Sequence, residues 1–284
     1  MNYKSSNKKK PTKEYILKIL LNIFFIFLSF MIILPLLWLI INSFKTNREL
    51  FKNSLALPEK WLFSNYKEAW DKGLFSYFKN SVIVSFISLI FILFFSSLLA
   101  YGITRFNIKF NKIIFFVVLG GMALSEQVAL VPLYKILQNL NLYNTYFALI
   151  LPYIAFRIPF TVFLMRAYFL SIPKELEEAG YIDGYNSFQI FYKIIVPISK
   201  PIFASCAIVN LNFVWNEFLF ANVFLESKSI MTIPIGLMTF QGDMKANYTV
   251  MLAGITIASI PMIAMFLIMQ KQFIEGLTSG AVKG

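Results

Sequence analysis

Six apolar stretches, at residues 16–43, 81–103, 112–134, 147–170, 200–223 and 249–270, approach or exceed the roughly 20 residues that a helix needs to cross a hydrocarbon core. The expected fold is an all-α integral membrane protein with six transmembrane helices. Composition agrees, with 58% hydrophobic and only 14% charged residues and a mean hydropathy of +0.68. The first stretch follows a basic start (Lys4, Lys8, Lys9, Lys10, Lys13), but its apolar run outlasts a signal-peptide core and no small-residue cleavage site follows it. It is read as a retained helix. There is no histidine, and the single cysteine, Cys206, sits in an apolar run. A disulfide framework and His-based metal or acid–base chemistry are thereby excluded, and neither a cofactor nor an enzyme activity is expected.

Orientation follows the Lys and Arg content of the connections. An even number of spans puts both termini on one side, together with Arg105, Lys109 and Lys112 after the second span and Lys174, Lys193 and Lys200 between the fourth and fifth. This side holds more bases and is read as the cytoplasm, which predicts a multi-pass protein of the plasma membrane with both termini inside. Residues 1–15 then form a cytoplasmic basic segment, 16–270 the permeation domain and 271–284 a cytoplasmic tail. The outer loop 44–80 carries Pro58, Trp61, Tyr66 and Trp70 and is expected to pack as a small amphipathic cap at the lipid interface. The net charge of +12 reads as membrane topology, and no nucleic-acid partner is expected.

The inner connection 171–199 is a polar island in this apolar chain. Pro173 opens a short helix over 174–182, with Glu175, Glu177 and Glu178 at its positive end and Gly184 to stop it. A second helix starts at an Asn186 or Ser187 cap, lines up Phe188, Phe191, Tyr192 and Ile195 as one stripe, and is ended by Pro197. Leu176, Ala179 and Gly180 share a side of the first helix where another backbone can approach. Two short helices around a glycine elbow, each with an apolar patch, suit the docking of a partner protein. The alternative is a helix lying on lipid headgroups, which the crowded acids disfavour.

Glu178-Ala179-Gly180, Gly184 after three further residues, and Ile194-x-Val196-Pro197 after nine more resemble the EAA signature of permease subunits of binding-protein-dependent ABC importers. Asp183 fits the common Asp-Gly form, while Gly180 stands for the second alanine and Val196 for leucine. VPLYKILQNLNLYNTYFALILPY, WNEFLFANVFL and FIEGLTSGAVKG extend the likeness to the MalG-like subunits of carbohydrate importers over nearly the whole chain. The resemblance implies a six-helix MetI-like bundle. It also implies a second homologous permease, two ATP-binding subunits that receive the island in a cleft, and an extracellular solute-binding protein that delivers a sugar. It places the ATPase-docking role on Glu178, Ala179, Gly180, Asp183, Gly184, Phe188, Ile194 and Pro197, and directs the tail toward the ATPase interface, against the plainer reading of a disordered terminus. GLTSGAVKG lacks the Gly-Lys-Ser/Thr core of a phosphate loop and no strand precedes it, so ATP hydrolysis is assigned to another chain.

Ionisable residues within spans are costly and are candidates for function. Glu126 and Gln127 in the third span, and Asn210, Trp215, Asn216 and Glu217 in the fifth, are the candidate translocation pathway. Asn, Gln and Ser suit sugar hydroxyls, and Trp215 offers a face to a pyranose. Asn210 and Asn216 lie about 240° apart on a helix, so not all of the set faces one lumen. Glu217 and Trp215 equally fit an anchoring role at the end of the span, and Arg157 fits a pairing with an acid or with the other permease. A permease for glycerol phosphate or another polyol is the second reading. A self-sufficient secondary transporter is a distant third, because no internal repeat is visible.

Overall fold

The computed structural model describes residues 12–243 and 247–281. The basic residues at 4, 8, 9 and 10, and the final Val-Lys-Gly, lie outside these ranges. Helices follow one another as α1 (Thr12–Ser43), α2 (Asn47–Lys52), α3 (Ser64–Ala69), α4 (Phe75–Arg105), α5 (Asn111–Gly120), α6 (Glu126–Asn139), α7 (Phe147–Ser171), α8 (Glu175–Ile182), α9 (Ser187–Ile190), α10 (Val196–Ile198), α11 (Lys200–Asn216), α12 (Leu219–Phe224), α13 (Ile233–Asp243) and α14 (Tyr248–Ala281). The expected all-helical class is what the described residues adopt. They form two compact units, one running to Ala69 and taking the start of α14 through Thr256, the other running from Trp70 and taking α14 from Ile257.

In the first unit, every side chain from Tyr15 to Leu37 of α1 is exposed, so its apolar surface is left for lipid or for another chain. The segment after it is tightly tied. Thr46 Oγ1 accepts from the Glu49 N–H while Glu49 Oε2 accepts from the Thr46 N–H, a reciprocal cap that starts α2. Asn65 Nδ2 donates to the carbonyls of Ser43 (2.8 Å) and Lys45 (2.9 Å). Phe44 packs on Trp61, Phe63 and Tyr66, which gives the expected aromatic cap its core. Trp70 does not join this core. It packs on Phe75 and Phe78 in the second unit, on a π-type turn (Trp70–Leu74) that leads into α4, so helical structure begins well before the expected end of the connection at 80.

The second unit is built on α4 against α7, with α11 packed on both. Ser81, Ser85, Ser88 and Ser96 are buried along α4, and such small residues let helices in a membrane approach closely. Ala100, Val162, Met165, Phe169, Ile202 and Cys206 are among the residues that fill the core.

Among the described residues, four helical runs are long and apolar enough to cross a membrane: Tyr15–Ser43, Ser64–Arg105, Phe147–Ser171 and Tyr248–Gln272. The total reaches six only if two bent pairs each count as one span, Asn111–Ala123 with Glu126–Asn139 (96°) and Ser187–Ile198 with Lys200–Asn216 (76°). Spans three and five are therefore not single helices as expected. In the first pair Leu124 and Ser125 take extended dihedrals after the adjacent glycines Gly120 and Gly121. A Cβ on Gly121 would stand 3.0 Å from Pro159 Cγ, so the bend also rests on a close contact with α7. In the second pair the break falls at Ser199, just before Pro201, which has no N–H to continue the ladder. Pro197, expected to end the island's second helix, lies inside it. The π-type turn over Phe191–Ile195 changes the winding just ahead of Pro197, and the helical path continues to Ile198.

Candidate docking surface and polar cluster

The island folds as two short helices around a glycine elbow. α8 ends in a Schellman arrangement, in which the Tyr185 N–H donates to the Gly180 carbonyl and the Gly184 N–H to the Tyr181 carbonyl, both at 3.0 Å. Gly184 has φ +81°, a left-handed conformation that side chains disfavour, which is why glycine sits at this stop. Asn186 then starts α9, its Oδ1 accepting from the Gln189 N–H and its own N–H donating to Gln189 Oε1, both at 2.9 Å.

The faces differ from expectation in two ways. The small side of α8 is used within the chain: Gly180 is buried, and a Cβ there would stand 2.9 Å from Ile194 Cδ1 and 3.1 Å from Ile190 Cγ1. The departure from alanine thus lets the island's two helices close on one another. The aromatic stripe also splits. Phe191 and Ile195 are buried, whereas Phe188 and Tyr192 are 68% and 67% exposed. Phe188 and Tyr192 line a groove with Phe94, Phe191, Val196 and Phe203, while Ile182, 87% exposed, lies on α8 among the exposed Leu176, Glu178, Ala179, Tyr181 and Asp183. Ile194 is half-buried and Pro197 is exposed.

One feature of the island was not anticipated. Glu177 turns inward, and its Oε1 lies 2.5 Å from Arg105 Nε, both side chains being almost fully buried. Arg105 Nη2 also donates to the carbonyls of Phe169 (3.0 Å) and Ile172 (2.9 Å) at the end of α7, and Tyr101 donates to Glu177 Oε2 at 3.4 Å. Burial raises the Glu177 carboxyl above its ordinary range, while Arg105, Tyr101 and Lys174 act to lower it. The available signal was spacing: Glu177 stands one helical turn before Gly180 and so shares its buried face.

The second set of candidates meets around Arg157. Its Nη2 donates to Glu126 Oε1 at 3.1 Å, and its guanidinium lies 3.0 Å from the centre of the Phe213 ring. The expected pairing of Arg157 with an acid is met. Glu126 opens α6 immediately after the bend, with Ser125 donating to Gln127 Oε1 beside it and both of those side chains exposed. Glu217 follows the last residue of α11. There it is buried, accepts from the Tyr153 hydroxyl at 2.5 Å, and accepts from the N–H groups of Phe220 (2.7 Å) and Ala221 (3.3 Å) that open α12.

Two members of the candidate pathway have partners within the bundle. Trp215 is 5% exposed, and its Nε1 donates to the Ala258 carbonyl, which ties α11 to α14 as the anchoring alternative has it. Asn210 is fully buried and donates to Thr161 Oγ1 (2.9 Å) and the Cys206 carbonyl (2.8 Å), fastening α11 to α7. Asn216 is exposed and donates to the Asn212 carbonyl one turn earlier. The exposed polar side chains at the first bend and at the end of α11 are thus Ser125, Gln127, Asn212 and Asn216, with Glu126 and Arg157 half-buried.

The described helices are those of a multi-pass membrane protein with polar side chains at the bend of its third span and at the end of α11. The chain belongs to the family described as binding-protein-dependent transport system inner membrane component, whose model matches residues 92–278. It is 46% identical to the probable ABC transporter permease protein YurM of Bacillus subtilis, over 98% of this chain and 93% of that one. It is 36% identical to the arabinooligosaccharides transport system permease protein AraQ of the same organism, over 94% and 96%. A chain in the crystal structure of a bacterial ABC transporter involved in import of the acidic polysaccharide alginate shares the fold, with a TM-score of 0.80, 22% identity and coverage of 96% and 100%.

Proposed function

We propose that this chain is the membrane-spanning permease subunit of an ATP-driven importer that translocates a sugar, an oligosaccharide or a related carbohydrate. The observation that carries the reading is the exposure of Ile182, Phe188 and Tyr192, with Glu178 and Asp183 also exposed, on an island whose two short helices close on one another at Gly180. Apolar exposure of this kind on an otherwise polar connection is made for a protein partner. Two ATP-binding subunits are the partners it suits, one of them receiving this island, with the island and both termini in the cytoplasm and the 44–80 connection outside. The bare apolar length of α1 suits lipid and a second homologous permease. An extracellular solute-binding protein delivers the substrate.

The choice of a carbohydrate is supported by the relatives whose printed names concern arabinooligosaccharides, diacetylchitobiose and melibiose, raffinose and stachyose. The chemistry agrees. Irregular backbone within a membrane is tolerated where it lines a cavity, and the first bend and the end of α11 carry amide and hydroxyl groups that match sugar hydroxyls. When ATP closes the ATPase pair, the island moves and the helices attached to it turn an inward-facing route outward.

The test is reconstitution of the complete complex in proteoliposomes, with ATPase activity measured against a panel of oligosaccharides presented on the binding protein. Stimulation by an oligosaccharide supports the reading. Stimulation by a polyol phosphate and by no sugar moves the substrate to the second class.

A further inference from the structure

The island is joined to the rest of its unit by more than the backbone at 172–174. α4, α7 and α8 converge on one buried polar node, in which a single guanidinium ties the last carbonyls of α7 (Phe169, Ile172) to a carboxylate on α8 (Glu177) from the last residue of α4. Tyr101, one turn earlier on α4, touches the same carboxylate and packs its ring on Phe191 in the island's second helix, with centroids 5.0 Å apart. Neither charge faces the exposed docking surface, and both are shielded from water. A buried pair of this kind resists separation, because parting its members strands an uncompensated charge.

We propose that the Arg105–Glu177 pair is the strut that transmits movement of the docking island to α4 and α7, so that both residues position the coupling machinery without contacting ATPase or substrate. The inference rests on the permease reading above. A push or pull on α8 reaches two long helices at once through a rigid contact, where the three-residue backbone link alone would bend. Arg105 is suited to the task because its planar fork holds two carbonyls and a carboxylate simultaneously, which a lysine ammonium could not do with the same fixed geometry.

The experiment uses the complete complex in proteoliposomes, comparing wild type with Glu177→Gln and with the double variant Arg105→Gln/Glu177→Gln. The double variant removes both charges together and so leaves no stranded ion that would by itself unfold the node. Co-purification of the ATPase, ATPase rate with and without loaded binding protein, and labelled-sugar uptake are read in parallel. The expected result is normal ATPase association and basal hydrolysis, with sugar moved per ATP falling about tenfold, within the usual span of coupling between sites. An unchanged ratio of sugar to ATP in the double variant overturns the proposal. Loss of the ATPase from both variants also overturns it, since the pair would then build the docking surface instead of transmitting from it. Failure of the wild-type chain to bind an ATPase would instead sink the permease reading itself.

Discussion

Arg157 and Glu126 join α7 to the first residue of α6 across a 3.1 Å ion pair, placed where the third span breaks and changes direction by 96°. The pair holds a polar bend against a continuous helix, with the guanidinium seated on the Phe213 ring of α11. Glu126→Ala should leave a half-buried guanidinium without its carboxylate, abolish transport and lower the thermal midpoint of the purified protein. Gln127→Ala, at an exposed neighbour, should instead weaken apparent sugar affinity with an unchanged midpoint. Paired uptake and melting curves check both, and equal behaviour of the two variants would remove the pathway assignment.

At Gly184, φ is +81° and the N–H donates to the Tyr181 carbonyl. Alanine there should cost about 1–2 kcal/mol through the left-handed conformation. Proline can adopt neither that φ nor donate the bond, so Gly184→Pro should destroy the elbow and the ATPase association while membrane insertion persists. Fractionation together with co-purification reads both outcomes.

At Gly180, alanine gains roughly 1 kcal/mol of helix propensity. Its Cβ must nonetheless displace Ile194 and Ile190, overpacking that typically costs about 1–3 kcal/mol. Both obstructing atoms belong to flexible side chains, so Gly180→Ala should lie near neutrality and Gly180→Leu should separate the island's helices. Thermal inactivation of the two variants, with ATPase association as the second readout, decides the point.

Glu217 serves two backbone donors and the Tyr153 hydroxyl at a break in the chain. Removing that acceptor should destabilise by on the order of 3 kcal/mol in Glu217→Ala, whereas Glu217→Gln retains an acceptor oxygen and should lose much less. Melting in detergent measures the difference, and an alanine variant as stable as wild type would show that the carboxylate is not holding the break.

The helical class and the island's two helices were legible because length, glycine and Asn186 are local signals. The breaks in spans three and five were not. An apolar run long enough to span looks the same straight or bent, and the bend at Gly121 depends on Pro159, nearly forty positions away. Candidate residues fared according to the same rule. Gln127 and Asn216 are exposed, while Trp215 and Asn210 find partners on α14 and α7 that no spacing within span five could reveal. Arg105 looked like a topology charge until its partner, seventy-two positions later, was in place.

Glu178→Lys tests most directly whether the island is the ATPase dock. The substitution reverses an exposed charge on α8 and leaves the buried contacts of Gly180 and Glu177 untouched. Co-purification of the ATP-binding subunits with the variant, from membranes in which it is inserted normally, is the measurement. The account predicts that they are lost together with ATP-driven sugar uptake. Their full retention, with uptake unchanged, would contradict it.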